Sequence, residues 1–189
     1  MRPNRPVNQL RIIAGDWRGR KLVFAPVPGL RPTADRIRET LFNWLSPVVD
    51  GACCLDLYAG SGALGFEAAS RGAAGVVLVE NSPVVARTLR DQRNALDASQ
   101  VKVIEADVDT WLQGRPEPFD IVFLDPPFHE NRLPGCLRKL EQSGWLAAGA
   151  WIYIEAERGL VLELPESWEP YRSKHAGNVD YYLMRRTAG

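Results

Sequence analysis

Cysteine and histidine are scarce in this chain, and no apolar run is long. Its 189 residues hold three cysteines and two histidines. Cys53 and Cys54 are neighbours, which gives neither a disulfide framework nor a metal-ligand spacing, so no metal is expected. Adjacent strand residues point to opposite faces, and both cysteines are expected to fill core. Such thiol usage suits a reducing cytoplasm. No stretch approaches the roughly 18 apolar residues of a membrane span. Residues 1–10 carry prolines and arginines without the apolar segment of a secretory signal. The expectation is a soluble cytoplasmic protein with no membrane partner. His129 and His175 invite a general-base reading because imidazole titrates near neutrality; His129 reads instead as a polar loop residue and His175 as part of a C-terminal hairpin.

Net charge is also lacking, since 23 basic residues balance 23 acidic ones. The distribution is uneven. Residues 1–40 contain nine arginines or lysines against Asp16, Asp35 and Glu39, a balance of +6, so the remaining 149 residues carry −6. This asymmetry points to a basic surface for a polyanion, with Trp17 among the arginines as a stacking surface; the alternative is a solvated basic arm. A hydrophobic fraction of 46% in a chain of this length supports a real core, in one domain or one domain with a small extension.

What is present is a glycine turn at the end of an apolar run, Leu55-Asp56-Leu57-Tyr58-Ala59-Gly60-Ser61-Gly62-Ala63-Leu64-Gly65. Gly60, Gly62 and Gly65 let backbone approach a ligand, and the turn opens a helix whose first amides face it. The spacing alone also fits a dinucleotide fingerprint or a plain strand-to-helix turn. A second stretch, residues 119–128, is an apolar strand that ends in Asp125-Pro126-Pro127-Phe128. Two prolines remove two backbone donors and keep the chain extended, so this turn presents a row of acceptors.

In chain order, residues 10–14 and 20–24 flank the glycine-bounded turn 15–19 and read as a hairpin. Thr33 is expected to start a helix in which Ile37, Leu41, Trp44 and Leu45 recur up to Pro47, with Arg36, Arg38 and Glu39 on other faces. Strands over 52–57, 75–80, 101–105, 119–125 and 150–155 then alternate with helices over about 63–71, from Ser82-Pro83, and over about 133–142. Two last strands, 168–176 and 179–186, turn at Gly177-Asn178. The fold class is therefore α/β: a Rossmann-like, doubly wound, mainly parallel sheet with a C-terminal antiparallel hairpin and a small N-terminal hairpin. Residues 1–30 are assigned to the basic extension and 31–189 to the larger unit.

Ligands of such sheets lie beyond the strand C-terminal ends. Asp56, Glu80, Asp107 and Asp125 fall there on successive strands. Carboxylates gathered in one crevice call for a ligand with hydroxyls, amines or positive charge. Glu80 is placed to accept from ribose hydroxyls; Asp107 is placed to reach an adenine amine or to cap a short helix near Trp111. A pyrophosphate would be opposed by Asp56 and Asp125, whereas S-adenosylmethionine, with a sulfonium and an ammonium, suits them. That choice disfavours a nicotinamide dehydrogenase.

Residues 55–65 resemble the glycine motif of class I S-adenosylmethionine-dependent methyltransferases, with Tyr58 where many members have another glycine. Asp125-Pro126-Pro127-Phe128 resembles the Asp-Pro-Pro-Phe/Tyr motif of those that methylate exocyclic amines. The strings Arg11-Ile12-Ile13-Ala14-Gly15-x-Trp17-Arg18-Gly19-Arg20 and Leu30-Arg31-Pro32-Thr33-x-Asp35-Arg36-x-Arg38-Glu39-Thr40-Leu41-Phe42-Asn43-Trp44-Leu45 are similar to N-terminal signatures of the RsmD family, and the similarity runs from about residue 10 to 186. That resemblance implies methylation of guanine N2 in bacterial 16S ribosomal RNA. It implies a cofactor site of Asp56, Tyr58, Ala59, Gly60, Gly62, Gly65, Glu80, Asn81, Asp107 and Val108. Asp125, Pro126, Pro127 and Phe128 are then catalytic, with the carboxylate and a carbonyl holding the amine while the ring stacks on the base. Arg11, Trp17, Arg18, Arg20, Lys21, Arg31, Arg36 and Arg38 are candidates for contact with ribosomal RNA or a small-subunit particle, and for Arg31, Thr33 and Arg38 the family pattern leaves open whether they contact cofactor or RNA. A monomer is expected. Adenine-N6 methylation of DNA or RNA and a catalytically silent RNA-binding scaffold are the alternatives.

Overall fold

The computed structural model describes residues 8–27, 30, 32–128 and 130–187. The hairpin is made of β1 (Gln9–Arg11) and β2 (Lys21–Val23), antiparallel and in register at Leu10 and Leu22. Both strands are shorter than the sequence suggests. The intervening segment leaves the ladder to dock on a helix, as described below.

Helix α1 (Asp35–Leu45) buries Ile37, Leu41, Phe42 and Leu45 on one stripe. Thr33 does not start it: Ala34 occupies the cap position without a side-chain bond. The parallel core follows as β3 (Cys53–Asp56), β4 (Gly75–Glu80), β5 (Val101–Glu105), β6 (Phe119–Leu124) and β7 (Leu146–Glu157). Between them lie α2 (Ala63–Ser70), α3 (Pro83–Ala95), α4 (Val108–Trp111) and α5 (Leu133–Gln142). Ser82 caps α3 by accepting from the Val85 amide, with Pro83 at the first turn where its missing donor costs nothing. Antiparallel β8 (Trp168–Ala176) and β9 (Val179–Arg186) close the sheet. Its order is β5-β4-β3-β6-β7-β9-β8. β7 runs longer than residues 150–155 because its early part, from Leu146, pairs with Phe119 ahead of the β6 irregularity.

Side-chain alternation divides the core. Cys54, Leu78, Ile121, Phe123, Tyr153 and Leu183 pack toward the hairpin, α1, α2 and α3, whereas Leu55, Val79, Val122, Leu124, Ile152 and Met184 pack toward α4 and α5. Cys54 fills core as expected; Cys53 is exposed, because the face it occupies at the start of β3 is left uncovered.

The N-terminal segment is fastened rather than trailing. Leu10, Ile12, Leu22 and Phe24 belong to the same buried cluster as α1 and α2. Glu67, fully buried on α2, accepts from the Ile13 and Ala14 amides at 2.8 and 3.1 Å. The Asp16 amide donates to the Ser70 carbonyl at 2.8 Å. At Gly15 the backbone runs so close to Ser70 that a Cβ would lie 1.7 Å from that carbonyl oxygen, so glycine is required here.

Candidate functional site

Strand order puts the two chemistry-bearing turns side by side. β3 pairs directly with β6, Asp56 opposite Phe123, so the glycine turn after β3 and the Asp-Pro-Pro turn after β6 emerge from neighbouring strands. Asp56, Glu80 and Asp125 share strand parity with Cys54, Leu78 and Phe123, and therefore all face the side of the hairpin, α1, α2 and α3. Here the sheet's C-terminal edge forms one acidic crevice.

Each cofactor candidate has a definite role in the fold. Asp56 is buried and its Oδ2 accepts from the Gly65 amide at 3.1 Å. Burial pushes its carboxyl up to about 7; the Gly65 amide opposes this, and Asp125 and Glu80 reinforce it. Glu80 clamps the glycine turn, with Oε2 accepting from the Gly60 amide at 3.0 Å and Oε1 from the Ser82 amide at 2.8 Å. Gly62 has φ +75°, and a Cβ there would meet the Phe66 ring at 2.6 Å, so the turn closes only with glycine. Ala59 is buried, Tyr58 is half-buried against the α5 side, and Asn81 is exposed. Asp107 proves to be a cap: its Oδ1 accepts from the Thr110 amide at 3.1 Å, and its Oδ2 pairs with Arg132 at 3.2 Å. Its slight burial acts upward but is outweighed by the Thr110 amide and Arg132, which hold it below the usual range. Val108 is buried at the start of α4.

In the Asp-Pro-Pro turn, Pro126 is buried, Pro127 exposed, and Phe128 is 36% exposed. Asp125 is half-buried, and its Oδ2 accepts from the Thr33 hydroxyl at 3.4 Å. Burial pushes Asp125 up to about 6 against the pull of that hydroxyl. The residue missed by sequence reading is Glu155. β6 and β7 are in register with Leu124 opposite Ile154, which places Glu155 directly beside Asp125. Its Oε1 accepts from the Tyr153 hydroxyl at 2.8 Å. Burial and then Asp125 push it up to about 8, with the Tyr153 and Thr33 hydroxyls opposing and Asp56 adding to the rise. The signal was available: Glu155 ends the apolar run of β7 just as Asp56, Glu80 and Asp125 end theirs.

Among the described residues no lysine, arginine or histidine forms an ion pair with Asp56, Glu80, Asp125 or Glu155. Nor, among them, is any group of acids, histidines and cysteines placed to hold a metal ion. Crowded carboxyls with no protein counterion fit a ligand that brings its own positive charge. S-adenosylmethionine, which carries a sulfonium and an ammonium, meets that condition.

The basic candidates divide. Arg11, Arg18, Arg20, Lys21 and Arg36 are exposed. Arg20 also donates to the Ala95 carbonyl at the end of α3, at 2.9 Å. Trp17 is half-buried against the core, so only part of its ring faces solvent. Arg38 departs from the exposed position expected of an RNA contact: it is fully buried, donating to the Arg11 carbonyl at 2.9 Å and the Asp35 carboxylate at 2.7 Å, with Glu67 at 3.5 Å. It joins α1, α2 and the hairpin, with none of its side chain exposed to RNA or cofactor. Arg31 and His129 lie outside the described residues.

Residues 10–185 match the model of the family described as Conserved hypothetical protein 95. The chain belongs to this family, the RsmD methyltransferases. It is 48% identical over 182 residues to the ribosomal RNA small subunit methyltransferase D of Escherichia coli strain K12, covering 95% of this chain and 91% of the relative. The Haemophilus influenzae protein of the same name is 46% identical, with 94% of each chain covered. A solved structure of a putative Escherichia coli methyltransferase superposes with a TM-score of 0.88 at 48% identity, covering 96% of this chain and 100% of that one. An RNA methyltransferase from Salinibacter ruber, solved with S-adenosyl-L-homocysteine, shares the fold at TM-score 0.61 and 20% identity, over 83% of this chain and 94% of the other. The RsmD family membership and the Rossmann-like methyltransferase fold agree with the sequence reading. Among the described residues no helix is long and apolar enough to cross a membrane.

Proposed function

We propose that this chain methylates the exocyclic N2 amine of a guanine in small-subunit ribosomal RNA, using S-adenosylmethionine. Its relatives' shared name supports the ribosomal RNA substrate. The observation that carries the chemistry is the adjacency, across the β3–β6 pair, of the glycine turn and the Asp125 turn over a crevice of uncompensated carboxyls. When bound, the cofactor supplies a methyl group activated by a sulfonium.

The protein's part is binding and orientation. Asp56, Glu80 and the glycine turn hold the donor, with Asn81 and the segment at Asp107 and Val108 toward its nucleoside end. The lone pair of an aryl amine is delocalised into its ring, which makes it a poor nucleophile. Accepting its N–H bonds at the Asp125 carboxylate and the Pro126 carbonyl favours a pyramidal nitrogen with its lone pair free, while Phe128 stacks on the base. Orientation of this kind supplies up to roughly 7 to 11 kcal/mol of the barrier. After transfer, the proton of the alkylated amine passes to Asp125 or to water. A base reaches such a crevice only when unstacked or flipped. Arg11 and Lys21 line one pocket with Thr33, the hydroxyl partner of Asp125, and with Arg36 on the first turn of α1 they suit the flanking phosphates; Trp17, Arg18 and Arg20 sit by the C-terminal ends of α2 and α3, where they suit more distant phosphates.

Asp125→Ala tests this reading. Calorimetry should show S-adenosylmethionine binding retained, while transfer to small-subunit ribosomal RNA falls at least about 10³-fold. Substantial turnover in that variant overturns the catalytic role. Nucleoside mass spectrometry of the product should show N2-methylguanosine, and N6-methyladenosine in its place would overturn the guanine assignment.

A further inference from the structure

A second aromatic and basic surface lies on the opposite side of the crevice from the N-terminal hairpin. β8 and β9 are antiparallel and β9 pairs with β7, so that Lys174, Tyr181 and Glu155 form one row and Arg172, Leu183 and Tyr153 the next. Arg185 stands opposite Trp151 in the row below that. The upper row ends at Glu155, inside the candidate site. From there a stripe runs down the sheet toward the start of β7, over about 17 Å for five strand residues.

Aromatic faces and cations alternate along it. Trp44 of α1 stacks on Tyr181 with ring centres 5.7 Å apart, and the Lys174 ammonium lies 5.9 Å from the Trp44 ring. Trp151 meets Tyr171 edge-on at 4.8 Å; Arg185 lies 5.5 Å from the Trp151 ring and Arg172 lies 4.6 Å from that of Tyr171. Tyr171 is 42% exposed. Among the described residues none of Arg172, Lys174 and Arg185 lies within ion-pair distance of a carboxylate, Glu169 opposite Arg185 included. Three cations without an ion pair among the described residues, braced on rings and, for Arg172, on the Tyr171 carbonyl at 3.2 Å, cost little to redirect to phosphates, and ring faces beside them accept unstacked bases.

We propose that this stripe, Trp44, Trp151, Tyr171, Arg172, Lys174 and Arg185, is a second RNA-binding surface that grips the strand leaving the crevice on the side away from the N-terminal hairpin. The inference rests on the ribosomal RNA reading above and adds where the substrate runs. A target nucleotide entering the crevice is then held from both flanks, which keeps it unstacked.

The test is filter binding of a 16S ribosomal RNA transcript and of purified small subunits, at several salt concentrations, to the wild-type chain and to the triple variant Arg172→Gln, Lys174→Gln, Arg185→Gln. Each lost phosphate contact lowers the slope of log affinity against log salt by about 0.7 to 0.9, so the triple variant should lose about 2 from the slope. Calorimetric affinity for S-adenosylmethionine should stay unchanged and serves as the check on folding. Tyr171→Ala should weaken transcript binding about tenfold with the slope intact, as loss of a stacking face does. Variants that bind the transcript like the wild type overturn the proposal. Weakening confined to intact subunits also overturns it, since that would place a ribosomal protein on the stripe. A wild-type chain that binds no RNA would instead refute the ribosomal RNA reading itself.

Discussion

Replacing Glu155 by glutamine separates what the carboxyl cluster does for the site from what it costs the fold. Glu155 is buried, and its ordinary value of 4.5 is pushed up to about 8, first by burial and then by Asp125. A carboxyl raised in this way holds its proton more tightly in the folded than in the unfolded chain. Its stabilising effect is therefore complete below about pH 4.5 and is lost as pH climbs toward about 8. At about 1.36 kcal/mol per tenfold, that interval gives a ceiling of about 5 kcal/mol. Asp125 competes for the same proton, and rearrangement of the Thr33 and Tyr153 hydroxyls offsets part of the cost, so about 2 kcal/mol is the expected share. In a chain of 189 residues this moves Tm by about 4 to 8 °C. Glutamine keeps an oxygen for the Tyr153 hydroxyl and does not titrate. Scanning calorimetry without cofactor should find the variant within about 2 °C of wild type near pH 5 and about 4 to 8 °C above it at pH 8.5. Parallel Tm curves for the two proteins from pH 5 to 8.5 would refute the reasoning, because Glu155 would then carry no destabilising charge.

Three other variants probe different parts of the structure. Gly65→Ala places a Cβ 2.2 Å from a Leu78 methyl and 3.3 Å from the Asp56 carboxylate, and should cost about 1 to 3 kcal/mol in urea unfolding while abolishing calorimetric cofactor binding. Arg38→Ala removes a buried cation that ties Asp35, Glu67 and the Arg11 carbonyl together, and should cost about 3 kcal/mol in the same assay. Arg71, which still pairs with Glu67 at 2.8 Å, keeps that loss from being larger. Arg18→Ala with Arg20→Ala should lower the salt slope of RNA binding by about 1.5 in filter binding and leave cofactor affinity unchanged.

The alternating core was legible because each element carries its own signals. Ser82-Pro83 starts α3, Gly177-Asn178 turns β8 into β9, and apolar runs mark β4, β5 and β6. Reading carboxylates at strand ends names Asp56, Glu80, Asp107 and Asp125; Asp56, Glu80 and Asp125 act on one another, Asp107 pairs with Arg132 instead, and the same rule applied to β7 adds Glu155. Arg38 was misread because a charge at a helical position is assigned to solvent by default. Its partner held the clue: Glu67 is the lone carboxylate in Ala63–Ser70, a helix otherwise without charge and buried on every side, and a buried anion needs a counterion. By residue type Thr33 reads as a helix start, and by family pattern as a contact to cofactor or RNA. The hydroxyl is engaged by Asp125, 92 positions later in the chain, a contact no local pattern reports. Asp107 did satisfy a local pattern, and the cap is the role seen.

The carboxyls gathered at the crevice also fix how the cofactor's charge should show itself. With no described cation beside Asp56, Asp125 and Glu155, raising the pH forces anions onto a site that resists them, and a bound sulfonium offsets that repulsion. At an effective dielectric of about 20, a unit positive charge roughly 5 Å from an anion contributes about 3 kcal/mol. The demethylated product, S-adenosylhomocysteine, has the same nucleoside and amino-acid groups with a neutral sulfur. The thermal shift from S-adenosylmethionine should therefore exceed that from the product by more at pH 8.5 than at pH 6, as the raised carboxyls ionise. The excess should shrink in Glu155→Gln. An excess independent of pH would mean that the sulfonium sits away from these carboxyls, and their raised values would then serve the incoming amine alone.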